Sequence, residues 1–326
     1  MDIKKYILPS KTLTVLSYIL FNYYLFFVGK LTSHKIFRSG RSTGIIDADA
    51  EIKKAHEEFM YYKTYIQREK FQGAKILEIG TGAYFLTALN FIGEGAQSVT
   101  TIDKFTCLRS KKEQKAVYES YLSKLPLEKQ ERIKKALFFK DESFLLNKER
   151  IRYSQIALED FTSTYKYDYI VSYAVFEHLW DAKKSIQAMK RVLKPEGKII
   201  AFVGNNDHGM FSLYHDWYQF YTIPKWLYSL MASKNGGCPN RLTPLQFKKL
   251  FEKEGFEMSY VVAKDQVSKK EYEKPRKTVE FKKEYPREYL EVSEKKKNFA
   301  KPYNALPTEQ LLIDYFLIEA TLKKTN

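Results

Sequence analysis

Between Lys75 and Asp103 the chain runs strand, glycine turn, apolar helix, strand, acid, and that succession leaves few folds open. Lys75 to Ile79 is a short apolar strand entering Gly80-Thr81-Gly82, two glycines spaced G-x-G. The run from Tyr84 to Ile92 is apolar and helix-compatible, and a second strand, Ser98 to Ile102, ends on Asp103. Gly80 and Gly82 let the backbone pass close to a ligand and adopt dihedrals that a side chain forbids. An acid about twenty residues beyond such glycines reaches a ribose hydroxyl pair. The unit therefore predicts a βαβ element that holds an adenosine group. A dinucleotide fingerprint wants a third glycine for tight helix–strand packing, and Phe85 fills that place. A nicotinamide dinucleotide and a bare βαβ unit without cofactor are the alternatives at this point.

The later segments narrow the choice. Tyr167 to Ser172 reads as a buried parallel strand, apolar and β-branched after an acidic start. Ala174-Val175-Phe176-Glu177-His178-Leu179 follows, then a helix to Leu193. Lys194-Pro195-Glu196-Gly197 has proline and glycine in turn-compatible places, and Lys198 to Val203 is the next strand. Glu78 stands two residues before Gly80, giving E-x-G-x-G. In order and spacing these stretches resemble motifs I and IV to VI of class I S-adenosylmethionine-dependent methyltransferases. The resemblance covers roughly residues 70–260, with Leu311 to Ala320 as the closing strand.

That resemblance implies an α/β fold: a Rossmann-like seven-stranded methyltransferase sheet with helices on both faces. It implies S-adenosyl-L-methionine as cofactor. Glu78 would lie near the methionine moiety and its ammonium, Gly80, Thr81 and Gly82 in the turn beneath it, and Asp103 on the ribose hydroxyls. Ala157-Leu158-Glu159-Asp160-Phe161 occupies the segment where such enzymes hold the adenine amino group with an acid. Asp160 is the first candidate there and Glu159 the second. The chain divides into an N-terminal segment, 1–45, and a methyltransferase domain, 46–326. Within the domain, 205–245 reads as a substrate lid and 264–310 as a charged insertion before the last strand.

The N-terminal segment predicts a hydrophobic helix. No charged residue occurs from Thr12 to Gly29, a stretch about 27 Å long as a helix, which is marginal for a hydrocarbon core. Lys4, Lys5 and Lys11 precede it, and Lys30, Lys35, Arg38 and Arg41 follow it. Basic flanks on both sides suit anionic headgroups and give little orientation signal. Asn22 and the tyrosines make a spanning helix less comfortable, so a helix lying in the membrane interface is the leading reading. A spanning anchor, and a helix packed on the protein's own core or on a dimer partner, are the others. No small-residue cleavage site follows, which argues against a signal peptide. Because the donor cofactor is cytosolic, the domain is expected in the cytoplasm, peripheral or anchored at the cytosolic face of the membrane.

Net charge is +16 with a pI near 9.4, so an anionic partner has to be considered. The basic residues are spread over many segments, and the densest region, Lys264 to Lys301, interleaves lysine with glutamate. Such a run reads as a solvated face. There is no RNA-binding signature, so nucleic acid is not the expected partner. The two cysteines, Cys107 and Cys238, have no metal-ligand spacing and fit a reducing compartment.

The acceptor is expected beyond the strand ending at Val203, at Asn205-Asn206-Asp207-His208-Gly209 and Tyr214-His215-Asp216-Trp217, and at Pro239-Asn240-Arg241-Leu242. Asp207-His208, Asn240-Arg241-Leu242 and Glu254-Gly255-Phe256 resemble a subgroup of bacterial methyltransferases associated with surface-polysaccharide and glycolipid assembly. An O-methyltransferase needs a base for a sugar hydroxyl, and an imidazole near neutral pKa suits that. His208, oriented by Asp207, is the first choice and His215 the second; His178, Asp216 and Arg241 are candidate substrate contacts. Some related methyltransferases bind a divalent ion through E-x-x-E-H, but Ala174 stands where the first glutamate would be, so no metal is expected. The expected function is O-methylation of a glycan or lipid-linked saccharide. A tRNA or RNA methyltransferase is the alternative, set back because Ser172-Tyr173-Ala174-Val175 replaces the Asn/Asp-Pro-Pro-aromatic motif of base methylation. A non-catalytic scaffold at the membrane is the third.

Overall fold

The protein is described by a computed structural model at residues 11–31, 47–66, 68–105, 108–211, 216–232, 238–269 and 271–324. Helices α1 (Lys11–Leu31) and α2 (Ala48–Tyr65) precede β1 (Lys75–Ile79), α3 (Leu86–Gly93) and β2 (Ser98–Asp103). Next come α4 (Lys111–Ser123), α5 (Leu127–Lys134), a hairpin of β3 (Leu137–Lys140) and β4 (Ser143–Leu146), and β5 (Ile151–Gln155). Then follow β6 (Tyr167–Tyr173), α6 (Ala182–Val192), β7 (Leu193–Gly204), α7 (Lys225–Ala232), α8 (Pro244–Lys253) and β8 (Phe256–Asp265). The chain ends with β9 (Glu271–Arg276), α9 (Phe281–Glu284), α10 (Pro286–Lys295), α11 (Thr308–Leu312) and β10 (Ile313–Leu322).

The strands form one sheet in the order β5-β2-β1-β6-β7-β10-β8-β9. The pairs from β5 to β7 are parallel, and β10 runs antiparallel between β7 and β8. Alternation along the strands divides the core between the two faces. Leu77, Ile79, Ile170 and Ile199 join a cluster with Phe176, Ile186, Met189, Phe247 and Phe251. Ile76, Val99, Val171 and Ile200 join another with Phe59, Phe71, Leu89 and Phe91. A sheet covered on both faces by helices is the Rossmann-like arrangement the motifs imply.

The sheet has eight strands where seven are expected, because β9 adds an antiparallel edge to β8. Its sequence, Glu-Tyr-Glu-Lys-Pro-Arg, gives no apolar alternation. Charge and a proline belong on an edge strand, where they discourage pairing with another chain. The charged run therefore hides structure: Val279, Phe281, Val292, Phe299, Tyr303 and Leu306 from 264–310 are buried in the main core.

Chain order places the ligand cleft. The chain steps outward from β1 through β2 to β5, then returns to β6 on the other side of β1. A doubly wound sheet opens a crevice at the carboxyl ends of its strands where the order reverses, here beyond Ile79 and Tyr173. Asp168, the acidic start of β6, holds the other end: its carboxylate accepts the Lys75 backbone N–H at 2.8 Å and the Lys194 ammonium at 2.6 Å.

Candidate active site

A cleft of about 770 Å³ opens at that reversal. Glu78, Gly80, Thr81, Gly82, Asp103, Glu159, Glu177, His178 and His208 all line it. The volume is within the range of small-molecule sites.

The cofactor side is built from β1 and β2. Gly80 has φ +91°, and a Cβ there would stand 2.3 Å from Val175 Cγ2. Gly82 has φ +66° with nothing within 4 Å of its would-be Cβ, so that side faces open space. Register places Glu78 beside Thr101 on β2, and the Thr101 and Thr81 hydroxyls share a short hydrogen bond. Burial pushes the Glu78 carboxyl up to about 8, hydrogen bonds from Thr101 and Thr87 oppose this, and Glu58 and Asp103 add to it. Its Oε2 is buried without a hydrogen-bond partner. A buried carboxyl oxygen left without a partner at the cleft wall is a feature that a cationic ammonium satisfies. Asp103 closes β2 at the cleft, where its Oδ1 also accepts the Phe105 N–H at 3.0 Å.

In the segment expected to hold the adenine, the second candidate, Glu159, is the acid that faces the cleft. Glu159 lines the cleft, 3.9 Å from the Lys104 ammonium, whereas Asp160 is exposed and is not among the lining residues. The turn Leu158–Asp160 is a single 3-10 winding with Leu158 buried, which directs the following side chain toward the cleft and the next one to solvent.

The far side is a corner of Glu177, His178 and His208. Glu177 and His178 follow β6 and His208 follows β7, so parallel neighbours bring them together across thirty residues of sequence. Glu177 Oε1 is 3.9 Å from His208 Nε2, and the two imidazole rings meet edge to face with centroids 4.9 Å apart. The His178 Nδ1 lies 3.4 Å from the Cys238 carbonyl oxygen. Burial lowers His178 to about 4, helped by the His208 ring. His208 is lowered by burial too, against an opposing pull from Asp207. Burial raises Glu177 to about 8, with backbone hydrogen bonds from Glu177 and Gly204 opposing. Burial thus favours the neutral form of all three groups in the corner. Donor atoms of the three residues lie within 4.8 Å of one another. His208 itself sits at φ +50°, an uncommon conformation for a side-chain-bearing residue and one found at functional positions. Its N–H donates to Asn206 Oδ1 at 3.0 Å.

Several expected contacts are corrected. Asp207 does not line the cleft. It is buried, and its carboxylate accepts the Gly209 N–H at 3.0 Å and the Phe211 N–H at 2.7 Å, so it shapes the loop that carries His208 while Glu177 is the acid facing Nε2. Arg241 is buried away from the cleft: its guanidinium donates to the Phe220 and Ile223 carbonyls at 2.6 and 2.8 Å and stacks on Tyr228 and Tyr303. Asp216 takes the Tyr218 hydroxyl and lies 3.8 Å from the Lys295 ammonium, on the surface. His215 lies outside the described residues. The Asn-Arg-Leu segment is therefore a clasp. The Asn240 amide donates to the Phe176 and Leu179 carbonyls at 2.7 and 2.8 Å, fixing the turn that presents Glu177 and His178. Replacing Arg241 with methionine orphans two buried carbonyls and costs about 2–4 kcal/mol. Denaturant unfolding should show that loss while S-adenosylhomocysteine affinity stays within about twofold, since the guanidinium touches no cleft group. A changed affinity with unchanged stability would return Arg241 to the site.

Glu58 and Tyr62 of α2 also line the cleft, although neither belongs to a motif. Their signal is modest: Ala55, Phe59 and Tyr62 make the buried stripe of an 18-residue helix capped by Asp47.

Residues 53–261 match the family model described as "Methyltransferase domain", a match over more than half of the chain. The chain belongs to this methyltransferase family. The match, with the E-x-G-x-G turn and Asp103 already in place at the cleft, makes S-adenosylmethionine the cofactor of this methyltransferase. No curated protein matches its sequence. Among solved structures, phosphoethanolamine N-methyltransferase 2 of Haemonchus contortus is 16% identical at TM-score 0.42 and covers 83% of the methyltransferase, which spans 53% of that enzyme's length. An S-adenosylmethionine-dependent methyltransferase from Listeria monocytogenes is 15% identical at TM-score 0.42, covering 83% of this chain and 100% of its own. The glycopeptide N-methyltransferase MtfA is 12% identical at TM-score 0.38, covering 85% and 90%.

Proposed function

We propose that the methyltransferase transfers its methyl group to a hydroxyl oxygen of a glycan or lipid-linked saccharide at the cytosolic face of a membrane. When bound, S-adenosylmethionine would supply an electrophilic methyl on its sulfonium sulfur, with the thioether of S-adenosylhomocysteine as the leaving group. The observation that carries the proposal is the position of the His208 imidazole, which lines the same cleft as Glu78, Gly80 and Asp103. An acceptor hydroxyl is a poor nucleophile until its proton has somewhere to go, and a neutral His208 Nε2 receives it. An imidazolium formed there would draw the Glu177 carboxyl, 3.9 Å away, toward its ionised form, because a nearby positive charge favours the carboxylate. His178, already hydrogen-bonded to the Cys238 carbonyl, orders the corner beside it.

The test follows labelled methyl from S-adenosylmethionine into fractions of the cells that make the protein. Label should enter the organic-extractable saccharide pool as alkali-stable methyl ether. Label in RNA instead would replace this reading with the nucleic-acid one. Binding of S-adenosylhomocysteine without any transfer would favour a scaffold.

A further inference from the structure

Helix α1 is apolar all round, and the domain covers one side of it. Thr14, Val15 and Asn22 are buried, and Tyr18 and Ile19 pack on the main core. The Asn22 amide donates to the Leu230 carbonyl at 2.7 Å, and the Lys11 ammonium to the Thr222 hydroxyl. Two anchors eleven residues apart on α1, one meeting Thr222 just before α7 and the other Leu230 in its last turn, lay the helix along α7. The opposite side carries Leu13, Leu16, Leu20, Tyr24, Phe27 and Leu31, a stripe at helical spacing that is between 48% and 85% exposed. Trp226, 66% exposed, and Leu230, 37% exposed, continue the patch onto α7.

We propose that α1 and α7 together form a docking surface for an anionic phospholipid bilayer, with α1 lying in the plane of the headgroup–acyl boundary. A helix with leucine and aromatic side chains on one side binds there by burying that side, and cations at its margins add attraction to anionic lipid. Lys11 and Lys225 are exposed at the starts of α1 and α7, α1 contains no acid, and the chain carries +16 overall. As a helix of 21 residues, α1 is about 32 Å long, enough to cross a bilayer. Crossing, however, would carry the Asn22–Leu230 hydrogen bond and the length of α7 into hydrocarbon, where polar groups are costly. A second copy of the chain is the other occupant for such a face. A two-fold contact repeats the same surface on both subunits, so it would gather the lysines of both copies around one seam.

Tyr18, on the covered side of α1, packs on the main core. Docking would hold the enzyme at the surface from which a lipid-linked acceptor is drawn. This deepens the proposed reading and rests on it only for the acceptor being lipid-linked.

Flotation of the full chain tests the surface. With vesicles of equal parts phosphatidylcholine and phosphatidylglycerol the protein should float, at least about tenfold more than with phosphatidylcholine alone, and alkaline carbonate should release it. Leu20→Glu with Phe27→Glu, both on exposed positions, should cut flotation at least about tenfold while S-adenosylhomocysteine binding stays at the wild-type level. Wild-type protein that binds S-adenosylhomocysteine but ignores both vesicles would overturn the proposal. So would carbonate-resistant association, which means spanning. A dimer by light scattering that the double variant converts to monomer, without vesicle binding, would assign the face to a second copy. Flotation as expected, with no methyl entering glycolipid, upholds the docking surface and overturns the acceptor reading alone.

Discussion

His208→Ala lowers kcat by about 10²–10⁴-fold, the range over which a positioned base contributes, and leaves S-adenosylhomocysteine affinity within about twofold. The two effects separate because His208 stands at the corner away from the glycine turn and Glu78. The pH profile carries the same signature. Burial holds His208 below its ordinary value, so the base form is present above the usual histidine pKa of about 6.5 and is lost as pH falls through the lower, folded-state value. Wild-type kcat should therefore be flat near neutrality and fall on the acid side with a midpoint below about 6.5. His208 is faced by Glu177 and His178 across the corner and by Asp207 within its own loop, so the limb belongs to the group of residues and His208→Ala should remove it. Dialysis against EDTA should leave the rate unchanged. Loss of activity restored by a divalent ion would instead make the three residues ligands, for which their donor atoms are close enough.

Gly80→Ala should weaken cofactor binding by about 100-fold or more, through two separable costs. A methyl at residue 80 meets Val175 Cγ2 at 2.3 Å, a distance that requires Val175 and the end of β6 to move. Alanine at φ +91° also carries backbone strain of about 1–3 kcal/mol. Adding Val175→Ala removes the collision and leaves the strain, so the double variant should recover affinity only in part. Gly82→Ala is the milder control. Its φ of +66° lies in the left-handed region with no neighbour within 4 Å, so strain of about 1–2 kcal/mol is its folding cost. Full recovery in the double variant would show that only the collision matters. No effect of Gly80→Ala would mean that the turn does not cradle the cofactor.

Legibility in the sequence follows the range of the interactions. The sheet, the glycine turn and Asp103 were readable because alternation, turn chemistry and a twenty-residue spacing are local signals. The roles at the corner of Glu177, His178 and His208 were not. Asp207 stands next to His208 in sequence and invites pairing with it, yet backbone N–H groups two and four residues on capture its carboxylate. Glu177 reaches His208 only because β6 and β7 are parallel neighbours. Arg241 looks like an anion ligand until Tyr228 and Tyr303 close over it. The charged stretch from Lys264 onward misleads in the opposite direction, since its polar face conceals widely spaced apolar residues such as Phe281 and Val292 that complete the core.

The central claim is that this cleft binds S-adenosylmethionine through Glu78, the glycine turn and Asp103. Calorimetric titration of S-adenosylhomocysteine into wild-type protein and Asp103→Ala, with NADH as the control nucleotide, tests it directly. The account predicts micromolar binding to wild type, a loss of affinity in the variant, and no heat from NADH. Well-folded wild-type protein that binds no S-adenosylhomocysteine, or that binds NADH as tightly, would contradict it.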